Sequence, residues 1–228
     1  MKTWDHFLDK MGMTLIELLI VISIIGLLAA IGIPEIGRFS ANYRVRSAAT
    51  DLIQNMRVAR AMAIKENREY MIVFDTANQR YLIGFDGDGD NNLITTDSDT
   101  FGICKDTNND RLPNGDVLVN GVPECVRVVN LNSYGDNIVF GFSTGTTPPN
   151  GPNGSGIPLS GVGFSGGAVR AEFNSDGSAG TIGSVYFQHT GRGYSYCVRV
   201  SNNAGALNMW KWDGDEDNSS ETNWKELR

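Results

Sequence analysis

Aspartates cluster in three runs, at 86–91, 106–110 and 213–218. Of the residues in this sequence, these are the ones whose type and spacing come closest to a binding site. Alternate carboxylates on a tight loop converge on one point, as a hard cation such as Ca²⁺ requires. In the first run, carboxylates fill positions one, three, five and twelve of an EF-hand-like loop: Asp86, Asp88, Asp90 and Asp97. Asn91 replaces the glycine of that loop, and Asp97 replaces its bidentate glutamate. The run predicts a calcium site, with solvated Asp/Asn turns as the alternative.

The cysteines do not indicate a metal centre. Cys104, Cys125 and Cys197 show no CxxC spacing and have no nearby histidine, so zinc is not expected. Cys104 and Cys125 flank one polar loop, which a disulfide could close in an oxidising compartment. Buried, unreactive thiols are the alternative.

No catalytic constellation stands out. The two histidines, His6 and His189, have no nucleophile signature beside them, and no glycine-rich stretch has the Lys-Ser/Thr and helix of a phosphate-binding loop. We therefore expect a protein that is not an enzyme. The formal net charge of -7 argues against nucleic acid as the main partner, although it leaves a local basic patch open.

The N-terminal region contains the most apolar segment of the chain, at 13–33. At about 1.5 Å per residue, this segment reaches roughly 32 Å as a helix, which is enough to cross a bilayer core. A carboxylate in lipid is costly unless it is paired, so Glu17 should be functional. The polar leader 1–12 ends in Gly12 directly before the apolar segment, which is not the order of a secretory signal. A plain uncleaved anchor is the alternative.

The residues from Gly12 to Leu18, read as GMTLIEL, closely resemble the prepilin peptidase motif of type IV pilins and type II secretion pseudopilins. The resemblance implies cleavage after Gly12 and methylation of Met13, where the family most often has phenylalanine. It also implies that Glu17 pairs with the N-terminal amine of a neighbouring subunit in the filament core. Pro34 lies where the family commonly has a helix-kinking proline.

Membrane orientation has two opposing indications. The positive-inside rule, with Lys2 and Lys10 before the segment and Arg38, Arg44 and Arg46 after it, mildly favours a cytoplasmic head. The peptidase motif must be presented in the cytoplasm, and a large downstream domain translocates largely regardless of flanking charge. We therefore expect a single-pass inner-membrane protein with a periplasmic head.

Helical periodicity continues beyond Pro34. Its apolar stripe consists of Val45, Ala49, Leu52, Met56, Ala59 and Ala63, and the opposite face of Arg44, Asp51, Arg57 and Arg60. The stripe should pack on the head. The predicted organisation is a leader at 1–12, a transmembrane and filament-core helix at 13–33, an amphipathic neck helix at 34–68 and a β-rich exported head at 69–228.

Alternating apolar residues with β-branched or aromatic enrichment predict short strands throughout the head. These lie near Tyr70–Asp75, Arg80–Phe85, Val126–Leu131, Ile138–Phe142, Val169–Phe173, Ser184–Gln188, Tyr194–Val200 and Leu207–Trp212. Many short strands separated by Gly/Asn/Asp turns indicate an antiparallel, sandwich-like arrangement. The predicted fold is α+β, with a long N-terminal helix and a β-sandwich-like head.

The Ala-Arg-rich segment 51–64, which leads into a strand at 70–74, resembles the GspH/FimT branch of this family, as does the turn Phe173–Gly177. This implies a minor pilin or pseudopilin of a type IV pilus or type II secretion pseudopilus. Its partners would be other pilins or pseudopilins, prepilin peptidase and the inner membrane, with an exported protein as a further possibility.

A FimT-like minor pilin that binds DNA for uptake is the alternative function. The matching arginine-containing turn is 191–196, with Arg192 in the turn and Arg199 further on. Four nearby aromatic residues could stack on bases: Tyr194, Tyr196, Trp210 and Trp212. Alternating aromatics in strands are more typical of core or cross-strand pairs.

Overall fold

The computed structural model describes residues 13–85, 118–119, 122–123, 125–142, 150–213 and 224–227 of the 228-residue chain. Backbone contacts divide the chain into two units, Met1–Ser40 and Ala41–Arg228. The organisation into leader, membrane helix, neck and head stays a prediction, with boundaries at 1–12, 13–33, 34–68 and 69–228.

One long α-helix, α1 (Leu15–Glu66), begins and ends with local hydrogen bonds that explain its limits. At its start, Thr14 Oγ1 accepts the backbone N–H of Glu17 at 3.2 Å, which is an N-terminal cap. At its end, Asn67 has a positive φ of 52°, and the Arg68 N–H donates to the Ala63 carbonyl at 3.2 Å. This left-handed cap turns the chain directly into the first strand.

In the first unit, the helical residues from Leu15 to Leu28 expose large apolar side chains. Leu15 is 80% exposed, Leu27 67% and Leu28 63%. Within the described residues, none of the helices combines the length and apolarity that crossing a membrane requires. Pro34 lies inside α1, and its predicted kink stays a prediction.

The second unit contains the strands of the described chain. In chain order these are β1 (Tyr70–Asp75), β2 (Arg80–Gly84), β3 (Leu118–Val119), β4 (Val122–Pro123), β5 (Cys125–Asn130), β6 (Ile138–Phe140), β7 (Val162–Phe164), β8 (Arg170–Phe173), β9 (Gly183–His189), β10 (Ser195–Val200), β11 (Leu207–Trp212) and β12 (Trp224–Leu227). Short 3-10 turns occur at Leu131–Tyr134 and Ser165–Gly167.

All strand pairs are antiparallel. One sheet has the order β5-β2-β1-β8, and a larger sheet has the order β12-β11-β10-β9-β6. Strand β7 also pairs with β9, beside the stretch Gly183–Val185, whereas β6 pairs with Phe187–His189. A small third sheet joins β3 to β4.

The main core forms where the neck part of α1 meets residues from both large sheets. Val45, Leu52 and Met56 of the helix are fully buried, together with Phe173 of β8 and Phe187 of β9. The prediction that the apolar stripe packs on the head is therefore confirmed, as are the α+β class and the antiparallel sheets. The sandwich arrangement stays a prediction.

Candidate assembly interface

The first turn of α1 carries the residues predicted to govern assembly. Met13 is 60% exposed, and Glu17 is exposed in the first helical turn, where the helix dipole favours a negative charge. Among the described residues, Glu17 has no ion-pair partner. Gly12 lies outside the described residues. Within the described residues, the start of α1 therefore presents an exposed carboxylate on an apolar helix.

A single arginine joins the neck to the turn Phe173–Gly177. Arg60 Nε donates to the Gly177 carbonyl at 2.7 Å, and Arg60 Nη1 donates to the Gly205 carbonyl at 3.4 Å. Gly177 has a φ of +81°, and Asp176 Oδ1 accepts the Ser178 N–H at 2.8 Å. The two hydrogen bonds with Ser178 lower the pKa of Asp176. The two segments that carry the family resemblance are thus in direct contact.

A polar network lies between the neck helix and the first sheet. The Asp51 carboxylate accepts the hydroxyl of Tyr134 and, at 3.4 Å, that of Tyr81. Asn55 Nδ2 donates to the Tyr81 hydroxyl oxygen at 2.8 Å, and Arg127 Nη1 donates to Asn55 Oδ1 at 3.0 Å. Burial is the main cause that raises the pKa of both tyrosines, and the neighbouring Asp51 charge adds to it.

Two residues assigned to the exposed face of the neck therefore face the head. Asp51 and Arg60 are both half-buried, whereas Arg44 and Arg57 are exposed as expected. The correction has a physical reason: Asp51 accepts the Tyr134 hydroxyl and Arg60 donates to two turn carbonyls, and polar groups beside a core need hydrogen-bond partners. The sequence signal was weak: Asp51 and Asn55 are one helical turn apart beside the apolar stripe.

The two arginines of the DNA-binding alternative lie in different places. Arg192 is exposed in the β9–β10 turn, whereas Arg199 is one residue from the far end of β10, where its Nη1 donates to Ser184 Oγ at 2.8 Å. They are separated by most of the length of β10 and do not form one patch. DNA binding stays a prediction with no added support.

The aromatic residues near that turn divide between core and surface. Tyr196 is 1% exposed and donates its hydroxyl to Asn42 Oδ1 at 2.9 Å, while Trp212 is 6% exposed. Tyr194 and Trp210 are half-buried. Burial of the ring is the main cause that lowers the pKa of His189, whose Nδ1 accepts the Gly191 N–H at 3.1 Å. Tyr196 and Trp212 are therefore core residues, in agreement with the interpretation of the alternating aromatic residues as core or cross-strand pairs.

Several predicted site residues lie outside the described residues. These are the calcium ligands Asp86, Asp88, Asp90 and Asp97, and Cys104 of the predicted disulfide; Cys125 begins β5. Within the described part of the chain, no group of three or more His, Cys, Asp or Glu residues is placed to hold a metal ion. The calcium site and the Cys104–Cys125 disulfide both remain predictions.

The remaining cysteine is a buried free thiol. Cys197 is fully buried in β10, and burial raises its pKa to about 12. Because a thiol of that pKa is almost entirely protonated at neutral pH, it is a poor nucleophile. The interpretation of Cys197 as an unreactive buried thiol fits this environment.

Comparisons with known proteins identify a family and a similar solved structure. A family model described as "Type II transport protein GspH" matches residues 48–204, from the neck helix to beyond β10. No curated protein matches the chain. The solved structure of the minor pseudopilin EpsH from the type 2 secretion system of Vibrio cholerae is similar with a TM-score of 0.39 and 12% sequence identity, over 73% of this chain and 95% of that chain.

Proposed function

This chain belongs to the GspH family of type II transport proteins, and we propose that it is a minor pseudopilin, a non-enzymatic filament subunit of a type II secretion pseudopilus. The exposed apolar surface of α1 from Leu15 to Leu28 is the observation that carries the proposal. A helix that exposes apolar side chains over most of its surface must be covered by lipid or by other apolar helices. A pilin-like subunit lies in lipid before assembly and among other apolar helices after assembly.

Before assembly, we expect 13–33 to anchor the protein once in the inner membrane, with the head in the periplasm. The apolar length of this segment in the sequence supports the anchor. After assembly, the same side chains would pack against neighbouring pilin-like helices in the filament core. The partners in that state are other pseudopilins.

Processing should precede assembly. Prepilin peptidase would cut after Gly12, and Met13 would become the methylated N-terminus. The new amine would then lie four residues before the Glu17 carboxylate, at the exposed start of α1. In a low-dielectric filament core, a carboxylate of one subunit and an amine of its neighbour attract strongly, which supports Glu17 as the residue that sets the position of an incoming subunit.

N-terminal mass spectrometry tests the processing step. The full chain, purified from cells with and without prepilin peptidase, should begin at N-methyl-Met13 in the first case and at Met1 in the second. A mature terminus at Ile33, or Met1 in both cases, would contradict the proposal.

A deletion strain separates secretion from pilus assembly. Removing the gene from the native host should leave exported proteins in the periplasm while pili remain, and the wild-type gene should restore export. Loss of pili with normal export would instead assign the subunit to a pilus.

A further inference from the structure

A groove of about 450 Å³ lies along the neck helix beside the start of β11 and the end of β12. Arg46, Ile53 and Arg57 of α1 line it. Ile53 is seven residues after Arg46, and Arg57 is eleven residues after it. At about 100° per residue, Ile53 and Arg57 therefore project within roughly 20° of the direction of Arg46. The helix therefore presents an alternating row of cation, apolar side chain and cation.

The floor of the groove is apolar. Ile53 is 7% exposed, and across from it Met209 and Leu227 form a cross-strand pair between β11 and β12. Met209 and Leu227 are half-buried and pack against the main core. An occupant that brought one apolar side chain onto this floor would remove the remaining exposed surface of these residues from water.

The rim of the groove is positively charged, in contrast to the chain as a whole. Arg46 and Arg57 are exposed, and among the described residues neither has an ion-pair partner. Glu226, the acidic residue in the groove lining, accepts a hydrogen bond from Asn208 Nδ2 at 2.5 Å. A local excess of positive charge on a chain of formal net charge -7 marks a surface that complements an acidic partner.

We propose that this groove docks an extended segment of another protein with the pattern acid-x-apolar-x-acid. The two arginines are about 16 Å apart along the helix axis, at about 1.5 Å per residue. Residues i, i+2 and i+4 of an extended segment point to one side and span about 13 Å, which the long arginine side chains can bridge. The two acids then meet Arg46 and Arg57, and the apolar residue meets Ile53 and Met209.

The sequence favours a different protein over a second copy of this chain. After the leader, no pair of acidic residues four positions apart encloses a central apolar residue; the pairs are Asp86/Asp90, Asp106/Asp110, Glu172/Asp176, Asp213/Asp217 and Asp217/Glu221. The leader contains the pattern once, at Asp5-His6-Phe7-Leu8-Asp9, but this segment is removed under the proposed processing. The occupant is therefore an acidic segment of a different protein.

Fluorescence anisotropy with a labelled peptide, Ser-Glu-Ser-Leu-Ser-Glu-Ser, tests the proposal on the full chain in non-ionic detergent. We expect saturable binding at low salt that weakens by about tenfold or more when Arg46→Glu and Arg57→Glu are combined, since repulsion replaces attraction. Arg192→Glu changes the same charge on an exposed turn away from the groove and should leave binding unchanged. A peptide with glutamine in place of both glutamates should bind more weakly.

The contrary outcomes are equally specific. No saturable binding, or equal binding by the double variant with an unchanged melting curve, overturns the proposal. Competition of the peptide by phosphatidylglycerol added to the detergent micelles would assign the groove to lipid headgroups. Self-association on sedimentation that depends on the two arginines would assign it to a second copy. The groove lies within the unit Ala41–Arg228, whereas Met13 and Glu17, which are predicted to govern assembly, belong to the other unit. Peptide binding and pseudopilus assembly can therefore fail independently, and the two results remain distinguishable.

Discussion

Arg60 of the neck helix donates a hydrogen bond of 2.7 Å from its Nε to the carbonyl of Gly177 in the β8–β9 turn. The same guanidinium also reaches the Gly205 carbonyl of the β10–β11 turn. A cation of the helix thus holds two turns that are distant in sequence. Both carbonyls belong to glycines with positive φ, in tight turns where the strand ladder does not supply partners.

Removing this guanidinium should destabilise the head. Arg60→Ala leaves the two carbonyls without their charged donor, and we expect a loss of about 2 kcal/mol in the free energy of unfolding. Arg57→Ala, three residues earlier on the exposed face, should change it by less than about 0.5 kcal/mol. Denaturant unfolding of the full chain in detergent measures both. Equal stability of the two variants would show that the Arg60 contacts contribute nothing.

The turn itself depends on glycine at position 177. The backbone at this position has a φ of +81°, and an added Cβ would lie 2.8 Å from Ile64 Cδ1. The end of the exposed Ile64 side chain can move, so backbone strain should dominate, at about 1–2 kcal/mol for Gly177→Ala. Gly156→Ala is the matched control, because nothing lies within 4 Å of its Cβ position and its φ is not in the left-handed region. Melting temperatures that fall equally for both variants would contradict this explanation.

The Asp51 network predicts a loss of stability at alkaline pH. The folded state raises the pKa of Tyr134 above its ordinary value of about 10, mainly through burial. The folded protein then holds the hydroxyl proton more tightly than the unfolded chain, so the free energy of unfolding falls as pH rises above about 10. Below that pH the contribution is fully present.

Tyr134→Phe should reduce this alkaline slope, and at neutral pH it should cost about 1 kcal/mol because the hydrogen bond to Asp51 is lost. Tyr43→Phe, which removes the hydroxyl of a ring that is 63% exposed, is the control for the loss of an exposed tyrosine hydroxyl. Thermal unfolding of the full chain between neutral pH and pH of about 12 is the measurement. A wild-type slope in the Tyr134 variant would exclude this residue as its source.

Local pattern was sufficient for most strands. The bounds of β1 and β11 agree with those predicted from alternation and from β-branched or aromatic enrichment. Each of these strands has neighbours on both sides, which favours regular pairing. Strand β12 was missed, since it is four residues long and its pairing with β11 is set by aromatic packing between Trp212 and Trp224. Strand β7 was missed because Gly163 at its centre weakens the strand pattern.

The contacts of the neck could be predicted only in part. Helical periodicity assigns apolar residues to the core and polar ones to solvent, so it placed Asp51 and Arg60 outside. Their partners are a tyrosine of the 3-10 turn and carbonyls of two glycine turns. Such partners depend on tertiary positions more than 80 residues away, which a local pattern does not encode.

Calcium should stabilise the full chain if Asp86, Asp88, Asp90 and Asp97 form one site. Carboxylates that share a site repel one another, and a divalent ion reverses the sign of that interaction. The melting temperature should then rise with calcium by an amount that follows RT ln(1 + [Ca]/Kd). Asp88→Ala should abolish most of the rise, whereas Asp176→Ala, in the β8–β9 turn, should not. Identical melting with calcium and with chelator would leave solvated turns as the explanation.

The final prediction concerns the charge of Glu17, as distinct from its place in the helix cap. Thr14 Oγ1 caps the Glu17 backbone N–H, so replacing the glutamate side chain leaves that hydrogen bond intact. Glu17→Ala and Glu17→Gln should therefore both insert into membranes, since each makes the segment less charged. Both should enter filaments poorly, because the neighbouring amine loses its counter-ion in a low-dielectric core.

Thr14→Ala is the control that separates cap from charge, because it removes the cap, at about 1 kcal/mol of helix stability, while keeping the carboxylate. The measurement is the amount of each variant in sheared filament fractions relative to membranes. If Glu17→Gln entered filaments as the wild type does while Glu17→Ala did not, hydrogen bonding by the side chain would explain assembly better than its charge. If Thr14→Ala failed as severely as Glu17→Ala, the ordered first turn of α1 would be the feature that assembly requires.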